Sequence, residues 1–318
     1  MIPDEITLEY TKCPLGCELN DELVVKGKDL LHNLPGIFSV VRCTSCGLMR
    51  TNPRPSQETI GFYYPDNYGP YLGTEIKKNF SPDVKLSLIK KIIKKLIDFK
   101  TKPLPYLSPR RMLEVGCGAG AFLHKMAAKG WEVSGIELSK KAAEAASNHG
   151  YNIYKGALET APAPSQPCDL IVGWMVLEHL HDPIQGLKKL FHWARPGGYL
   201  VLSVPNAGAL EFNLFKKRWY ALQLPNHLYH FTPKTLRKTI NASGWQAERI
   251  IHQRVLSNFV ASTGYLLQDK GYANMAKALI NFPVSSGIMQ YAIYPLAFLL
   301  SLMGQTGRMT IWARKKND

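Results

Sequence analysis

Between residues 109 and 254, short apolar runs alternate with stretches of helical periodicity. Strand-like runs fall at 111–115, 132–136, 152–154, 169–173, 199–204 and 248–254. Between them, apolar residues spaced three and four apart predict helices over 121–129, 140–149, 183–194 and 233–243. Gly130, Gly150 and Gly244 stand where three of these helices should stop, and Thr232 where the last should be capped. Strands that alternate with helices imply βαβ units and a mostly parallel sheet.

The flanking stretches differ in character. Residues 1–55 hold four of the six cysteines and read as a small zinc-ribbon-like module. Residues 56–108 are rich in Tyr, Pro and Lys and read as a linker with a basic helix. Residues 109–318 form the α/β domain, with an apolar helical insert at about 255–307 and a last strand-like segment, Met309–Arg314.

The first strand of the alternating region runs into Glu114-Val-Gly116-Cys117-Gly118-Ala-Gly120. Glycines at alternate positions let the backbone turn sharply and approach a ligand without Cβ clashes, and the helix that follows aims its first amides at the same space. Glu114, at the strand end, suits the ammonium of an amino-acid-like ligand. Glu137, at the end of the second strand, can accept both hydroxyls of a ribose. A dinucleotide site needs G-x-G-x-x-G; this loop is G-x-G-x-G with an acid two residues ahead, so that reading falls away.

These motifs resemble those of class I S-adenosylmethionine-dependent methyltransferases, in the branch of the ubiquinone-biosynthesis O-methyltransferases. The resemblance is carried by Leu113–Phe122, by Gly135-Ile-Glu137-Leu138-Ser139, by Asp169–Pro183 with its Glu178-His179, and by Arg195–Asn206. It covers roughly residues 109–254. It implies an α/β fold, a Rossmann-like seven-stranded sheet whose last strand is antiparallel, with 309–314 supplying that strand. It also implies S-adenosylmethionine as cofactor. Glu114, Gly116, Cys117, Gly118 and Gly120 would hold its methionine part, and Glu137 with Leu138 its ribose. Ala157 and Leu158 would border the adenine, and Met175 would lie beneath the cofactor. The family often has Asp near position 157; here Ala leaves adenine recognition to backbone and packing.

Methyl transfer asks the protein to position a nucleophile and to remove its proton. A neutral imidazole suits the second task. His227 is the first candidate, as base or substrate anchor, then His230 in the same Pro225-Asn-His-Leu-Tyr-His-Phe segment, then His179 after the fourth strand. The alternatives are a loop folded over the cofactor for 227–230 and a structural cap for His179. Small-RNA 2′-O-methyltransferases carry a Glu-x-x-Glu-His metal site at this place. Only Glu178-His179 remains here, with Met175 where the first Glu would be, which speaks against a metal.

Cys13-x3-Cys17 and Cys43-x2-Cys46 suit tetrahedral thiolate coordination of a structural zinc, the alternative being buried reduced thiols. Four thiolates leave no position open for catalysis. The start of the chain, Met1-Ile-Pro-Asp-Glu, lacks the pattern of a secretory signal, so a reducing, cytoplasmic setting is expected.

The formal charge of +15 favours an anionic partner. The segment after the fourth strand, Gly173-Trp-Met-Val, lacks the Asn/Asp-Pro-Pro-Tyr/Phe motif of DNA amino-methyltransferases, which disfavours nucleic acid. Apolar Val84, Leu88, Ile92, Leu96 and Phe99 repeat at helical spacing among lysines in 83–100, as in a helix lying on an anionic membrane or covering the sheet. Residues 282–303 are long enough to suggest a span. Pro283 and Pro295 interrupt them, and the strand that follows must rejoin the sheet. They therefore read as helices over the active site or dipping into one leaflet. Leu224–Leu236 resembles a recurring segment of bacterial methyltransferases found among surface-polysaccharide and lipid biosynthesis proteins, which implies a small-molecule, sugar or lipid-linked acceptor. The basic and apolar stretches add an expected peripheral contact at the inner face of the membrane. An RNA methyltransferase and a non-catalytic S-adenosylmethionine-binding module are the alternatives.

Overall fold

In the computed structural model, which describes residues 2–18, 20–65, 104–108, 110–285 and 289–316, thirteen strands are described. The N-terminal ones are β1 (Leu8–Glu9), β2 (Asp21–Gly27), β3 (Phe38–Cys43), β4 (Met49–Thr51) and β5 (Arg54–Pro55). The helix expected over 83–100 lies outside the described residues. Then come β6 (Arg111–Val115), α1 (Ala121–Ala127), β7 (Glu132–Glu137), α2 (Lys140–Asn148), β8 (Asn152–Lys155) and β9 (Cys168–Trp174). They are followed by α3 (Pro183–Trp193), β10 (Ala194–Pro205), α4 (Leu210–Phe215), β11 (Tyr229–His230), α5 (Pro233–Ala242) and β12 (Gln246–His252). The chain ends with α6 (Ser257–Asp269), α7 (Ala273–Ile280), short helices α8 (Phe282–Ser285), α9 (Met289–Ala292) and α10 (Tyr294–Leu302), and β13 (Arg308–Arg314).

Seven strands form the main sheet in the order β12-β13-β10-β9-β6-β7-β8. The pairs β10–β9, β9–β6, β6–β7 and β7–β8 are parallel, and β13 runs antiparallel to both β10 and β12. This is the Rossmann-like sheet with an antiparallel last strand that the motifs implied.

Period-two alternation decides the two faces. Met112, Leu170, Val172 and Val201 point to one side, where Leu123 and Met126 of α1 cover them. Leu113, Ile171, Leu200, Leu202 and Ile311 point to the other, against Leu187 and Leu190 of α3 and Leu236 and Ile240 of α5. Strands covered on both faces read as continuous apolar runs, which is why 169–173 and 199–204 stood out. The Arg195-Pro-Gly-Gly stretch, just ahead of the run expected as a strand at 199–204, is a bulge inside β10, where the register with β9 shifts between Ala194 and Tyr199.

Helix caps follow the local chemistry. Asp182 caps α3 by accepting from Gln185 N at 2.9 Å, and Thr232 with Thr235 forms a capping box on α5.

A second sheet, antiparallel and in the order β11-β4-β3-β2, joins the N-terminal strands to the main chain segment. Its edge strand is Tyr229–His230, paired to Arg50 and Met49. Phe38, Val40 and Met49 of this sheet pack with Phe212, Trp219 and Leu222 from the segment after β10.

Candidate functional site

The loop after β6 is built by conformation. Gly116, Gly118 and Gly120 have φ of +68°, +54° and +86°, the region that glycine enters without a Cβ penalty. A Cβ on Gly116 would come within 2.6 Å of Val176 Cγ2, so the turn after β9 sits directly on the loop. The amides of Gly116 and Cys117 donate to Ile136 O at 2.8 and 3.1 Å, which ties the loop to β7.

Two buried carboxylates end the adjacent strands. Glu114 is 2% exposed, and its Oε2 has no hydrogen-bond partner among the described residues. Burial, and then the charge of Glu137, pushes its carboxyl well above the ordinary carboxylate range. A buried carboxyl oxygen without a partner is costly, and a ligand ammonium would relieve it. Glu137 is 4% exposed and is raised by burial, while neighbouring amides pull it back. Its Oε2 accepts from Gly118 N and its Oε1 from Ser139 N, both at 2.7 Å. Each oxygen keeps a further lone pair, the pattern that vicinal hydroxyls need. An orphaned acid, a positive-φ glycine loop and a pre-aimed second acid fit an amino-acid nucleoside such as S-adenosylmethionine.

The remaining expected cofactor contacts divide by exposure. Leu138 is exposed beside Glu137, and Ala157 is half-buried at the turn after β8. Leu158 is buried in the core, so only its backbone can meet a ligand. Cys117 turns inward: a Cβ on Gly135 would meet its Sγ at 2.6 Å, and burial pushes its thiol up. Its backbone, rather than its side chain, belongs to the loop. Gly135 is the residue that sequence reasoning passed over, since its bare Cα makes room for that thiol. Met175 follows β9 with φ +60°, held by its amide donating to Ser203 O at 2.8 Å. A non-glycine residue in this region stores strain, a feature that clusters at functional sites.

The three candidate histidines do not form one group. His179 is half-buried, and its Nδ1 lies 2.9 Å from both Asn226 O and Tyr64 Oη. His227 is buried, with Nδ1 donating to Ala221 O at 2.8 Å. The two rings meet edge to face with centroids 4.7 Å apart. His230 lies in β11 instead, where its Nε2 is 3.3 Å from Thr51 Oγ1. Burial pushes His179 down to about 4 and His230 down to about 3, and burial together with its two histidine neighbours lowers His227. All three imidazoles are therefore neutral at physiological pH.

Cys13, Cys17, Cys43 and Cys46 bring their sulfurs within 4.8 Å of one another, with no disulfide. Cys13 Sγ and Cys46 Sγ are 3.5 Å apart, and Leu48 N donates to Cys46 Sγ at 3.4 Å. Burial works upward on the Cys43 thiol, but bonds from Cys46 and Ser45 outweigh it and hold the thiol down at about 7. Four convergent sulfurs with amides aimed at them fit a tetrahedral zinc. A cleft of about 590 Å³ opens beside this cluster, lined by Arg54, His181, Lys188 and Tyr229 among others; of the expected site residues only Cys13 borders it.

Residues 88–250 match the family described as a methyltransferase domain. The chain is similar to the ubiquinone biosynthesis O-methyltransferase of Alkalilimnicola ehrlichii, 32% identical over 35% of this chain and 47% of that protein. It is also similar to the protein of that description from Bordetella bronchiseptica, 33% identical over 33% of this chain and 47% of the relative. The chain thus spans about half the length of these curated relatives. Among solved structures, an S-adenosylmethionine dependent methyltransferase from Mesorhizobium loti aligns with a TM-score of 0.47 and 19% identity over 67% of this chain and 94% of that one.

Proposed function

The chain belongs to the methyltransferase-domain family, and from that membership we propose that it moves a methyl group from S-adenosylmethionine to an oxygen of a small-molecule, sugar or lipid-linked acceptor. The observation that carries the reading is the pair of buried acids, Glu114 and Glu137, at the ends of adjacent strands with the positive-φ glycine loop between them. When bound, the cofactor supplies a methyl carbon activated by a sulfonium. Glu114 holds its ammonium, and Glu137, fixed by the Gly118 and Ser139 amides, holds its ribose hydroxyls. Val176, on the turn after β9, packs against the glycine loop at Gly116, and Met175 beside it is read as lying beneath the cofactor.

On the acceptor side, His179 and His227 offer neutral imidazoles, and a group with a basic lone pair can take or steer the acceptor proton. An oxygen acceptor is supported by the relatives' description as O-methyltransferases. The cysteine cluster is read as a structural zinc site, since four thiolates complete a tetrahedron.

Among the described residues no helix is long and apolar enough to cross a membrane. Leu296, Leu299, Leu302 and Met303 are nonetheless exposed on and just after α10. An exposed apolar edge of this kind supports peripheral contact with a membrane and an amphiphilic acceptor.

Methyl-labelled S-adenosylmethionine supplied to cell extract tests the reading. Label should enter the lipid or polysaccharide fraction with the wild type and not with Glu137→Ala. Equal labelling by both would remove the assignment.

A further inference from the structure

Glu178, in the turn after β9, is a buried acid outside the glycine loop and its two carboxylates. Its side chain is fully buried, and neither carboxylate oxygen has a hydrogen-bond partner among the described residues. Arg308 is near enough for its charge to be felt, yet no ion pair joins the two among the described residues. Native structures leave few buried polar atoms unsatisfied, and a missing ion is one recurring reason when they do.

Two imidazoles stand beside this carboxylate. Glu178, His179 and His227 each place one ligand atom within 4.8 Å of the other two. The carbonyl of Asn226 can only accept, so its 2.9 Å contact puts the proton of His179 on Nδ1. The carbonyl of Ala221 does the same for His227 at 2.8 Å. Nε2 of each ring therefore keeps its lone pair. Metal-binding histidines are oriented in this way, by an acceptor on the nitrogen that does not bind the metal.

We propose that Glu178, His179 and His227 bind a divalent first-row transition-metal ion, at a site separate from the four cysteines. Two imidazoles and one carboxylate suit such ions and leave coordination positions open. The sequence argued against a metal because Met175 replaces the first Glu of a Glu-x-x-Glu-His motif. The fold brings in His227 as the third ligand, from the segment after β10.

The position gives the ion a task. Val176, two residues before Glu178, rests on Gly116 of the cofactor loop, so the turn that carries Glu178 and His179 adjoins the cofactor site. This task rests on the methyltransferase reading, although binding of the ion does not. An acceptor hydroxyl bound to the ion is more acidic. It gives its proton to water, its oxygen forms the new bond to the methyl carbon, and the carbon–sulfur bond breaks with its electron pair left on sulfur. The two imidazoles then bind the ion and need not carry the proton.

The full chain, produced in zinc-depleted medium with Co2+, tests the site by elemental analysis and visible absorption. The wild type should hold one Co2+ more than its thiolates account for. Glu178→Gln should lose that ion, or bind it at least about 10-fold more weakly, with the thiolate-to-cobalt band unchanged. His179→Asn, at a half-buried position, is the second variant and should behave alike if Glu178→Gln does not fold. A wild type with only the thiolate-bound ion, or variants that keep the second ion, would overturn the proposal. S-adenosylmethionine binding is measured on the same samples. If it persists while the second ion is absent from the wild type, the metal site fails and the cofactor site stands.

Discussion

The amide of Gly118 donates to Oε2 of Glu137 at 2.7 Å. The glycine loop of one strand and the acid of the next are thereby one unit: the loop aims the carboxylate, and the carboxylate holds the loop. Ser139 N completes the clamp on Oε1.

Replacing Glu137 with Gln should therefore do more than remove a charge. One acceptor oxygen becomes an NH2 facing a backbone N–H, and a ribose contact is lost with it. Charge-assisted bonds of this kind contribute about 1.5–3 kcal/mol each, so S-adenosylmethionine affinity should fall by roughly 10- to 150-fold. Equilibrium dialysis with labelled cofactor reads this directly, and an unchanged affinity would detach Glu137 from the ribose.

Gly116→Ala puts a Cβ 2.6 Å from Val176 Cγ2 at φ +68°. The left-handed backbone and the overlap together should cost about 2–4 kcal/mol. Shortening the neighbour separates the two causes. In a Val176→Ala background the packing part should vanish and the backbone part remain, so the double variant should be more stable than the sum of the singles. Additive melting shifts would show that the two residues do not touch.

Glu114 should make cofactor binding release a proton. Burial raises its carboxyl well above the ordinary value in the free protein, so the protonated form is favoured there. A bound ammonium favours the ionised form. Binding should then expel a proton, and affinity should rise with pH until the raised pKa of the free protein is passed. The same shift makes the free fold lose stability as pH rises through that value, since the folded chain binds the proton more tightly than the unfolded one. Calorimetry in buffers of different ionisation enthalpy should report the released proton. Heats that do not depend on the buffer would contradict it, and Glu114→Gln should abolish the dependence.

If the cysteine cluster holds the proposed zinc, removing it should be felt beyond the N-terminal residues. Thr51 N donates to Leu228 O at 2.9 Å, and Thr51 Oγ1 donates to His227 O at 2.7 Å. The sheet that begins near the cysteines therefore holds the segment carrying His227 and His230. Cys43→Ser, or chelation, should lower the melting temperature and speed hydrogen exchange at Thr51 and at Tyr229 and His230. Protection retained at those amides would mean that the two regions are energetically independent.

Much of this fold was legible because buried parallel strands and amphipathic helices write their periodicity into the chain. Asp169–Gly173 and Ala121–Lys129 could be read residue by residue, with boundaries displaced by one or two positions in the structure. The two acids and the glycine loop were legible for a related reason: local backbone geometry demands those residue types there. What escaped was tertiary. The two-residue strand Tyr229–His230 has no periodicity to detect, so nothing in the sequence showed that it would pair with Met49–Thr51. Its pairing turns the His230 ring toward Thr51, while His227 meets His179. The meeting of His227 with Glu178 and His179 is likewise a product of chain packing across distant segments.

The proposed S-adenosylmethionine site consists of the glycine loop and its two acids. Calorimetric titration of the cofactor into the wild type and into Gly118→Arg tests it most directly, because Gly118 carries both the loop's positive φ and the bond to Glu137. Saturable binding is expected with the wild type, and no detectable heat with a variant that still melts cooperatively. Binding retained by Gly118→Arg would contradict it.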